Sequence, residues 1–293
     1  MNDTAALPFA YGVNQFTTMP WSFEEDVERY ARLGVEAMEL CEAKLGARGD
    51  GGESPGLARA QLAAVADAGL PISSVQPAVR TVFPSRTQPE PTDRRDRLAR
   101  FRRSVELIAP VAPDAVFVTN TGPAPDGNLH RAVDGVIAHH RELAGIAAEH
   151  GVRVALEPLN PVLINTETAI WTYRQALDIV QEVDRENVGV CLDLWNLWQD
   201  SELTATLDTA PDRLFLLQVS DWRTPRSPMD RRTVGTGDIP VGPLLRAVHG
   251  AGYRGPCVLE IFSDQVPDSL YETDLHELVR ANRTALDAAW RTG

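Results

Sequence analysis

The amino-acid sequence predicts a single (β/α)8 barrel domain over residues 1–293. Eight short apolar runs alternate with longer amphipathic segments. The runs are nearly continuous in apolar residues, as expected of parallel strands that are covered on both faces. Strict alternation implies parallel pairing, and eight units favour closure into a barrel. An open doubly wound sheet is the alternative, which the absence of a glycine-rich phosphate turn after any early strand disfavours.

The elements follow one another with clear boundary signals. Ser22 and the acidic residues after it are typical of a helix start, and Gly34 is a natural stop. The proline-rich stretch 83–93 predicts a loop over the barrel mouth rather than a domain linker. The predicted strands begin at Tyr11, Val35, Pro71, Ala115, Val152, Val188, Arg213 and Pro256. The predicted helices span about 22–33, 56–68, 94–108, 128–150, 168–183, 241–251 and 269–290, with a short helical stretch around Leu203.

Composition narrows the range of partners and locations. A formal charge of −13 repels phosphate backbones and anionic lipid, so we expect neither nucleic acid nor membrane as a partner. The three cysteines, Cys41, Cys191 and Cys257, lie at or near strand ends and are expected to be reduced core residues. The N-terminus lacks the pattern of a signal peptide, and no apolar run approaches the length of a membrane span. We therefore expect a cytoplasmic protein.

Four consecutive predicted strands carry a polar residue at or near their ends: Glu157, Asp193, Gln218 and Glu260. The carboxyl ends of barrel strands meet at one mouth, and neighbouring strands are only about 4.8 Å apart. Taken singly, each residue could be a helix cap or a partner for an arginine. Together, three crowded carboxylates call for a cation. An all-oxygen set favours one divalent ion, Mg²⁺ or Mn²⁺, over zinc.

Several segments resemble the sugar isomerase/epimerase superfamily of xylose isomerase-like barrels, with hydroxypyruvate isomerases, ketose 3-epimerases and inosose dehydratases among its members. The resemblance covers essentially the whole chain and implies that Glu157, Asp193, Gln218 and Glu260 bind one metal ion. Glutamine at the third position, followed by a GTG motif, is similar to the hydroxypyruvate isomerase branch. The segments are ALEPLN at 155–160, GVCLDLWN at 189–196, LQVSDWR at 217–223, GTGDIP at 235–240 and VLEIFSD at 258–264.

The sequence departs from the superfamily at the D-x-x-H motif, which reads D-L-W-N, so that Asn196 stands where a histidine is usual. Asparagine can bind a substrate hydroxyl, but it cannot titrate near neutral pH. Trp195 and Trp198 add a bulky apolar rim. They either pack the barrel or stack on a sugar ring or an aromatic aglycone. Asn196 and Trp195 are therefore candidates for substrate binding.

Four arginines follow strand seven. We expect Arg223, five residues past Gln218, to reach a substrate oxygen. The other three, Arg226, Arg231 and Arg232, are expected to balance acidic residues of a solvated loop. Further polar residues expected at the mouth, either on substrate or tying loops together, are Asn14, Gln15, Glu39, Gln76 and Asn120. The histidines expected at the surface, on or beside the fourth helix, are His130, His139, His140 and His150.

The leading hypothesis is a metal-dependent isomerase or epimerase of a keto sugar or small hydroxy-ketone. A metal polarises the carbonyl, and Glu157 and Glu260 pass a proton through an enediolate; the resemblance implies the same pair. The alternative is a lyase of the same superfamily, either an inosose-type dehydratase or a 3-oxo-glycoside deglycosidase. A non-enzymatic sugar-binding barrel remains a third hypothesis. An apurinic endonuclease is disfavoured because the chain lacks a histidine-rich site and a basic face. Substrate identity and homo-oligomerisation stay open.

Overall fold

The computed structural model describes residues 6–46 and 54–292 and confirms the predicted barrel. Eight parallel strands close in chain order, each pairing with the next and the eighth with the first. All eight apolar runs form the strands expected of them. The strands are β1 (Tyr11–Asn14), β2 (Ala37–Cys41), β3 (Ile72–Gln76), β4 (Val116–Thr119), β5 (Arg153–Leu156), β6 (Val188–Asp193), β7 (Leu214–Val219) and β8 (Cys257–Leu259).

Helices surround the barrel, and most begin and end close to the predicted residues. The α-helices are α1 (Phe23–Leu33), α2 (Pro55–Asp67), α3 (Arg94–Ile108), α4 (Leu129–Glu149), α5 (Tyr173–Val183), α6 (Leu194–Leu197), α7 (Leu203–Leu207), α8 (Val241–Gly250) and α9 (Leu275–Thr292). Short 3-10 helices are Glu42–Lys44, Ala109–Val111, Pro161–Leu163, Pro211–Arg213 and Leu270–Glu272. No helix within the two described ranges is both long and apolar enough to cross a membrane.

Local capping explains where the helices begin. The Ser22 hydroxyl accepts from the Glu25 amide, and the Glu25 carboxylate accepts from the Ser22 amide, which forms a capping box before α1. Helix α5 starts five residues later than predicted because Thr172 forms the same arrangement with Gln175. The preceding residues are held in a turn by the Thr168 hydroxyl.

The core consists of an apolar layer between barrel and helices and a smaller cluster inside the barrel. The inner cluster contains Val116, Val118, Ala155, Cys191, Leu216 and Val258. Cys41, Cys191 and Cys257 are all free and buried, which confirms the structural role predicted for them. The side chains inside the barrel are packed, so the open space lies at its two ends.

Two histidines of α4 are buried, so the prediction that all four lie at the surface was wrong. His140 faces the barrel, with Nε2 2.9 Å from the Thr119 hydroxyl and Nδ1 2.9 Å from the Val136 carbonyl. Burial lowers the pKa of His140 to about 4, and the neighbouring His139 is also buried. The helix packs on β5 and on both neighbouring helices, α3 and α5, so its buried face is wider than its polar sequence indicates. His130 is exposed and His150 is half-buried.

A buried ion pair supports the loop that follows β1. Lys44, the only lysine in the chain, places Nζ 2.6 Å from Asp26 and also donates to the Thr18 carbonyl. Gln15 and Thr18 donate to the same carboxylate. Burial raises the pKa of Asp26 to about 6 even though Lys44 opposes the shift. The pair therefore connects the loop to α1, although the removal of two charges from water is itself unfavourable.

We predict that Lys44→Met lowers the free energy of unfolding by about 3 kcal/mol, because it leaves the Asp26 carboxylate buried without a cation. Urea denaturation at neutral pH measures the change. The control is Arg32→Met, which breaks an exposed pair with Glu28 and should change stability by less than about 0.5 kcal/mol. Similar effects of the two substitutions would contradict the buried-pair interpretation.

Candidate functional site

A cavity of about 410 Å³ opens at the carboxyl ends of the strands. Its walls combine aromatic, amide, arginine and carboxylate side chains, including Phe16, Asn120, Glu157, Trp195, Arg231 and Glu260. A second cavity, of about 580 Å³, lies at the opposite end, where the strands begin. Chemistry in such barrels is carried by the carboxyl ends of the strands, so the mouth cavity is the candidate site.

Three carboxylates converge at this mouth. Asp193 ends β6, whereas Glu157 and Glu260 directly follow β5 and β8. One oxygen from each lies within 4.8 Å of the others, and all three residues are buried. The structure therefore brings together three of the four residues predicted to bind metal, each at its own strand end.

Burial dominates the electrostatics of the cluster. It raises the pKa of Glu157 above its usual range, and the neighbouring Asp193 charge raises it further. Burial likewise raises the pKa of Glu260, against the opposing charge of Arg231. The same cause raises the pKa of Asp193, which Arg231 opposes by charge and hydrogen bonding. Three negative charges in this space therefore require protons or cations to compensate them.

Arg231 supplies part of that compensation. Its guanidinium lies 2.8 Å from Asp193 Oδ2 and 3.0 Å from Glu260 Oε2. The same group lies 4.9 Å from the Trp195 ring centre and 4.8 Å from that of Phe262. The sequence predicts Arg231 in a solvated loop. That assignment was wrong because a charge count cannot show that the loop turns back into the cavity.

Asp221 explains how the loop carrying Arg231 is held. The Asp221 carboxylate accepts hydrogen bonds from four backbone N–H groups. The Asp221 backbone also forms an antiparallel bridge with Arg232. A Cβ at Gly237 would lie 2.2 Å from the Trp222 carbonyl, so this position requires glycine. The GTG motif is thus the part of the loop that folds around one buried carboxylate. The N–H donors belong to Trp222, Gly235, Gly237 and Ile239.

The structure does not bring Arg223 to the cavity. Its guanidinium pairs instead with Asp268 at 3.0 Å and with the buried Asp230 at 3.5 Å. Arg226 contacts the same two carboxylates. These pairs connect the β7–α8 loop to the segment after β8 at the outer edge of the mouth. The sequence does contain a signal for the arginine that enters the cavity. Arg231 lies four residues before the GTG motif, which folds the loop around Asp221.

Gln218 lies inside the barrel, directly beside the cluster. Its Nε2 donates to both oxygens of Glu39 at 2.9 and 3.0 Å and to Glu260 at 3.1 Å. Its Oε1 accepts from the Cys191 thiol at 3.1 Å. The amide nitrogen thus faces the carboxylates, and rotation of the amide group would present the oxygen instead. Gln218 thus lies beside the three carboxylates with its amide oriented as a donor, and its role as a metal ligand stays a prediction.

Glu39 is a fourth carboxylate at the mouth, on β2. It is fully buried and accepts from Gln76 at 2.8 Å as well as from Gln218. Burial, then the charge of Glu260, raises the pKa of Glu39 to about 8. The sequence predicts Glu39 among the polar residues of the mouth, either on substrate or tying loops together. Gln15, from the same group, bonds Asp26 instead.

Asn196 bridges the two carboxylates of adjacent strands. Its Nδ2 donates to Glu157 Oε1 at 2.9 Å and to Asp193 Oδ2 at 2.8 Å, and its Oδ1 accepts from the Asn160 amide. Asn120 donates to the other oxygen of Glu157 at 2.9 Å. Asn196 lines the cavity as predicted, and its contacts are those of a group that orients carboxylates.

Trp195 lines the cavity but has little free surface. It is 1% exposed, and one face of its ring is covered by Arg231. Sugar stacking on that face would require Arg231 to move. Trp198 packs instead against Trp222, with ring centres 5.0 Å apart.

The closed eight-stranded parallel barrel places the chain in the class of TIM-barrel proteins, with a cluster of buried carboxylates at the mouth. The family model described as xylose isomerase-like TIM barrel matches residues 27–287. The chain therefore belongs to that family, as the resemblance implied.

Curated relatives include enzymes of different reaction types. The chain is 30% identical over 185 residues to the 3-dehydroshikimate dehydratase of Pseudomonas aeruginosa, covering 58% of this chain and 27% of that protein. It is 31% identical over 126 residues to the ketose 3-epimerase of Arthrobacter globiformis. This alignment covers 42% of this chain and 40% of that protein. The alignments thus span about a quarter of the dehydratase and less than half of the epimerase. The two relatives are named for different reactions, a dehydration and an epimerisation.

Solved structures share the fold. The crystal structure of the IolI protein with a zinc atom superposes with a TM-score of 0.76 at 18% identity, over 96% of this chain and 98% of that one. A D-psicose 3-epimerase from Clostridium cellulolyticum H10, solved with D-tagatose, gives a TM-score of 0.67 at 20% identity. The superposition covers 96% of this chain and 98% of that one.

We predict that Asp221→Asn destabilises the fold by about 2 kcal/mol, because the amide group places a donor against backbone N–H groups that need an acceptor. Thermal and urea unfolding measure the change. Asp238→Asn is the matched control, since Asp238 is exposed in the same loop and should tolerate the substitution. Equal stability of the two variants would show that Asp221 does not organise the loop.

Proposed function

We propose that this chain is a divalent-metal-dependent isomerase or epimerase that moves a proton next to the carbonyl of a keto sugar or small hydroxy-ketone. The observation that carries the proposal is the convergence of Glu157, Asp193 and Glu260 on one cavity, with the pKa of each carboxyl raised by burial. A carboxylate with a raised pKa is a better proton acceptor near neutral pH than an ordinary one.

The donor set fits a hard divalent ion. Glu157, Asp193 and Glu260 offer carboxylate oxygens within 4.8 Å of one another, and the Gln218 amide oxygen becomes available if the amide rotates. Oxygen donors favour Mn²⁺ or Mg²⁺. When bound there, such an ion supplies Lewis-acid polarisation of the substrate carbonyl.

The two glutamates are proposed to carry the proton. Glu157 is oriented by Asn196 and Asn120, which donate to its two oxygens, and Glu260 is oriented by Asn14 and Arg231. One carboxylate removes the proton next to the carbonyl and keeps it, and the other, which is protonated beforehand, donates its own proton to the neighbouring carbon or to the opposite face. Asn196 has no titratable group, so proton transfer falls to the glutamates.

Arg231 is proposed to stabilise the oxygen that gains charge when the proton leaves. Its guanidinium lies between Asp193 and Glu260 and keeps a fixed position against the Trp195 and Phe262 rings. A preorganised cation in a buried site stabilises developing negative charge more than the same cation does in water. The packing of Trp195 thus serves the reaction by holding Arg231.

A dehydratase is the second candidate, and the 30% identity to 3-dehydroshikimate dehydratase favours it. Removal of the same proton, followed by loss of a β-hydroxyl group, gives an unsaturated product and water. A protonated glutamate would donate the proton to the departing hydroxyl. The two reactions share their first step, so product identity separates them.

The test is exchange of the proton next to the carbonyl with solvent deuterium, followed by NMR and mass spectrometry. The substrates are D-tagatose, D-fructose, an inosose and 3-dehydroshikimate, each with added Mn²⁺ or Mg²⁺. Exchange with a product of unchanged mass, apart from deuterium, supports the isomerase or epimerase. Loss of water identifies the dehydratase. The absence of exchange with every substrate would leave a binding barrel as the better interpretation.

We predict that Glu157→Gln and Glu260→Gln each reduce exchange by at least about a hundredfold, the lower range of a general-base contribution. Metal content must be measured in the same samples, because each substitution also removes a metal ligand. Glu186→Gln is the control, since Glu186 is exposed and distant from the mouth. A variant that retains both metal and full exchange would exclude its residue as the base.

Stability should depend on pH and metal together. In metal-free protein, the raised pKa values of Glu39, Glu157 and Glu260 favour the folded state at low pH, and this contribution is lost as the pH rises through those values. A divalent ion replaces the lost protons as the compensating charge. We therefore predict that Mn²⁺ raises Tm more at pH 8 than at pH 6, relative to protein in EDTA at equal ionic strength. A shift independent of pH would contradict the linkage between metal and these carboxyl groups.

A further inference from the structure

The three arginines that line the mouth cavity differ in their pairing. Arg231 pairs with Asp193 and Glu260, as described above. Arg86 lies 3.4 Å from the buried Glu167. The Arg80 guanidinium, in contrast, has no ion pair or hydrogen bond with any residue in the described ranges, and its nearest aromatic neighbour is the Phe16 ring at 5.8 Å.

The backbone that carries Arg80 is nevertheless held on both sides. Its amide donates to the Gln88 side chain at 3.0 Å, and its carbonyl accepts from the Asn120 amide at 2.8 Å. Arg97, which is 1% exposed, donates to the Thr81 carbonyl at 2.8 Å and to the Gln88 carbonyl at 3.0 Å. The buried Arg97 guanidinium thus stabilises this loop by donating to two of the loop's backbone carbonyl groups. The result is a fixed backbone that presents one free guanidinium to the cavity.

The Arg80 side chain is half-buried in the wall of the mouth cavity, and no carboxylate in the described ranges pairs with it. Acidic residues outnumber basic ones by 41 to 28, so carboxylate partners are abundant. Water solvates a half-buried guanidinium, and an anionic ligand that enters the cavity would meet this group without competition from a protein carboxylate. The guanidinium group has the planar, two-donor geometry that matches a carboxylate.

We propose that Arg80 binds a carboxylate group carried by the substrate, so that the cavity selects acidic sugars or carboxylated cyclic ketones over neutral ketoses. This proposal rests on the proposed function, because it concerns the same cavity. A single free guanidinium suits a group with one negative charge, whereas a phosphate dianion would need more donors than Arg80 offers. Arg86 and Arg231 are already paired.

The same contact would orient the substrate. Glu157 and Glu260 repel an anionic group, and Arg80 attracts it. The carboxylate end is therefore directed to Arg80, and the uncharged carbonyl end is left to face the glutamates. Arg80 acts in this scheme as a specificity-determining residue, since it contacts a part of the substrate that does not react.

Binding of matched acid and ester pairs tests the proposal without requiring turnover. The probes are shikimate with its methyl ester, and D-galacturonate with its methyl ester, titrated by calorimetry into the Mn²⁺-loaded protein. We expect at least one acid to bind more tightly than its ester by about tenfold, the equivalent of about 1.4 kcal/mol. Arg80→Gln should remove this preference by weakening the acid alone, and Arg80→Lys should retain part of it. Arg95→Gln removes the same charge from an exposed position on α3 and should keep the preference.

Several results would overturn the proposal. Wild-type protein that binds neither acid better than its ester, including protein that binds none of the four, contradicts a carboxylate site. Equal weakening of acid and ester in Arg80→Gln would make Arg80 a structural residue. Tighter binding of shikimate 3-phosphate than of shikimate would indicate a phosphate site. An acid preference without deuterium exchange would refute the proposed function alone, and exchange on neutral ketoses without an acid preference would refute only the role of Arg80.

Discussion

The confinement of negative charge at the mouth of the barrel is the constraint on which the rest of the site depends. Three buried carboxylates share a space less than 5 Å across, where their repulsion is far stronger than in water. The Asn and Gln side chains around the cluster point their amide nitrogen atoms toward the carboxylates. The carboxylate acceptors at the mouth are therefore surrounded by amide donors. The side chains that donate to Glu157, Asp193, Glu260 or Glu39 belong to Asn14, Gln76, Asn120, Asn196, Gln218 and Arg231.

The same constraint accounts for the loop between β7 and α8. A guanidinium must reach the carboxylates, so the chain after β7 folds back over the mouth and places Arg231 there. The fold-back is maintained by a second buried carboxylate, Asp221, which binds backbone N–H groups rather than a cation. Two acidic residues with different partners thus serve one arrangement: Asp193 binds the arginine, and Asp221 shapes the loop that delivers it. Gly237 is the position where this shape excludes any side chain.

Sequence periodicity predicted the barrel because each strand buried on both faces is a continuous apolar run, and strand ends then predicted Glu157, Asp193 and Glu260. The contacts of long side chains could not be predicted in this way. Arg223 and Arg231 lie in one loop with similar neighbours, and only the folded loop determines that Arg231 turns inward while Arg223 pairs with Asp268. Likewise, the sequence cannot show which end of the Gln218 amide faces the cluster, because that depends on Glu39 and Cys191.

The burial of Lys44 has a practical consequence. Because no other lysine exists in the chain, the folded protein presents no accessible lysine to amine-reactive reagents. Lysine labelling would therefore report the opening of a single place in the molecule, the junction between the β1 loop, α1 and the end of β2. The rate at which the ε-amine becomes modified under native conditions would measure local unfolding there, without any engineered probe.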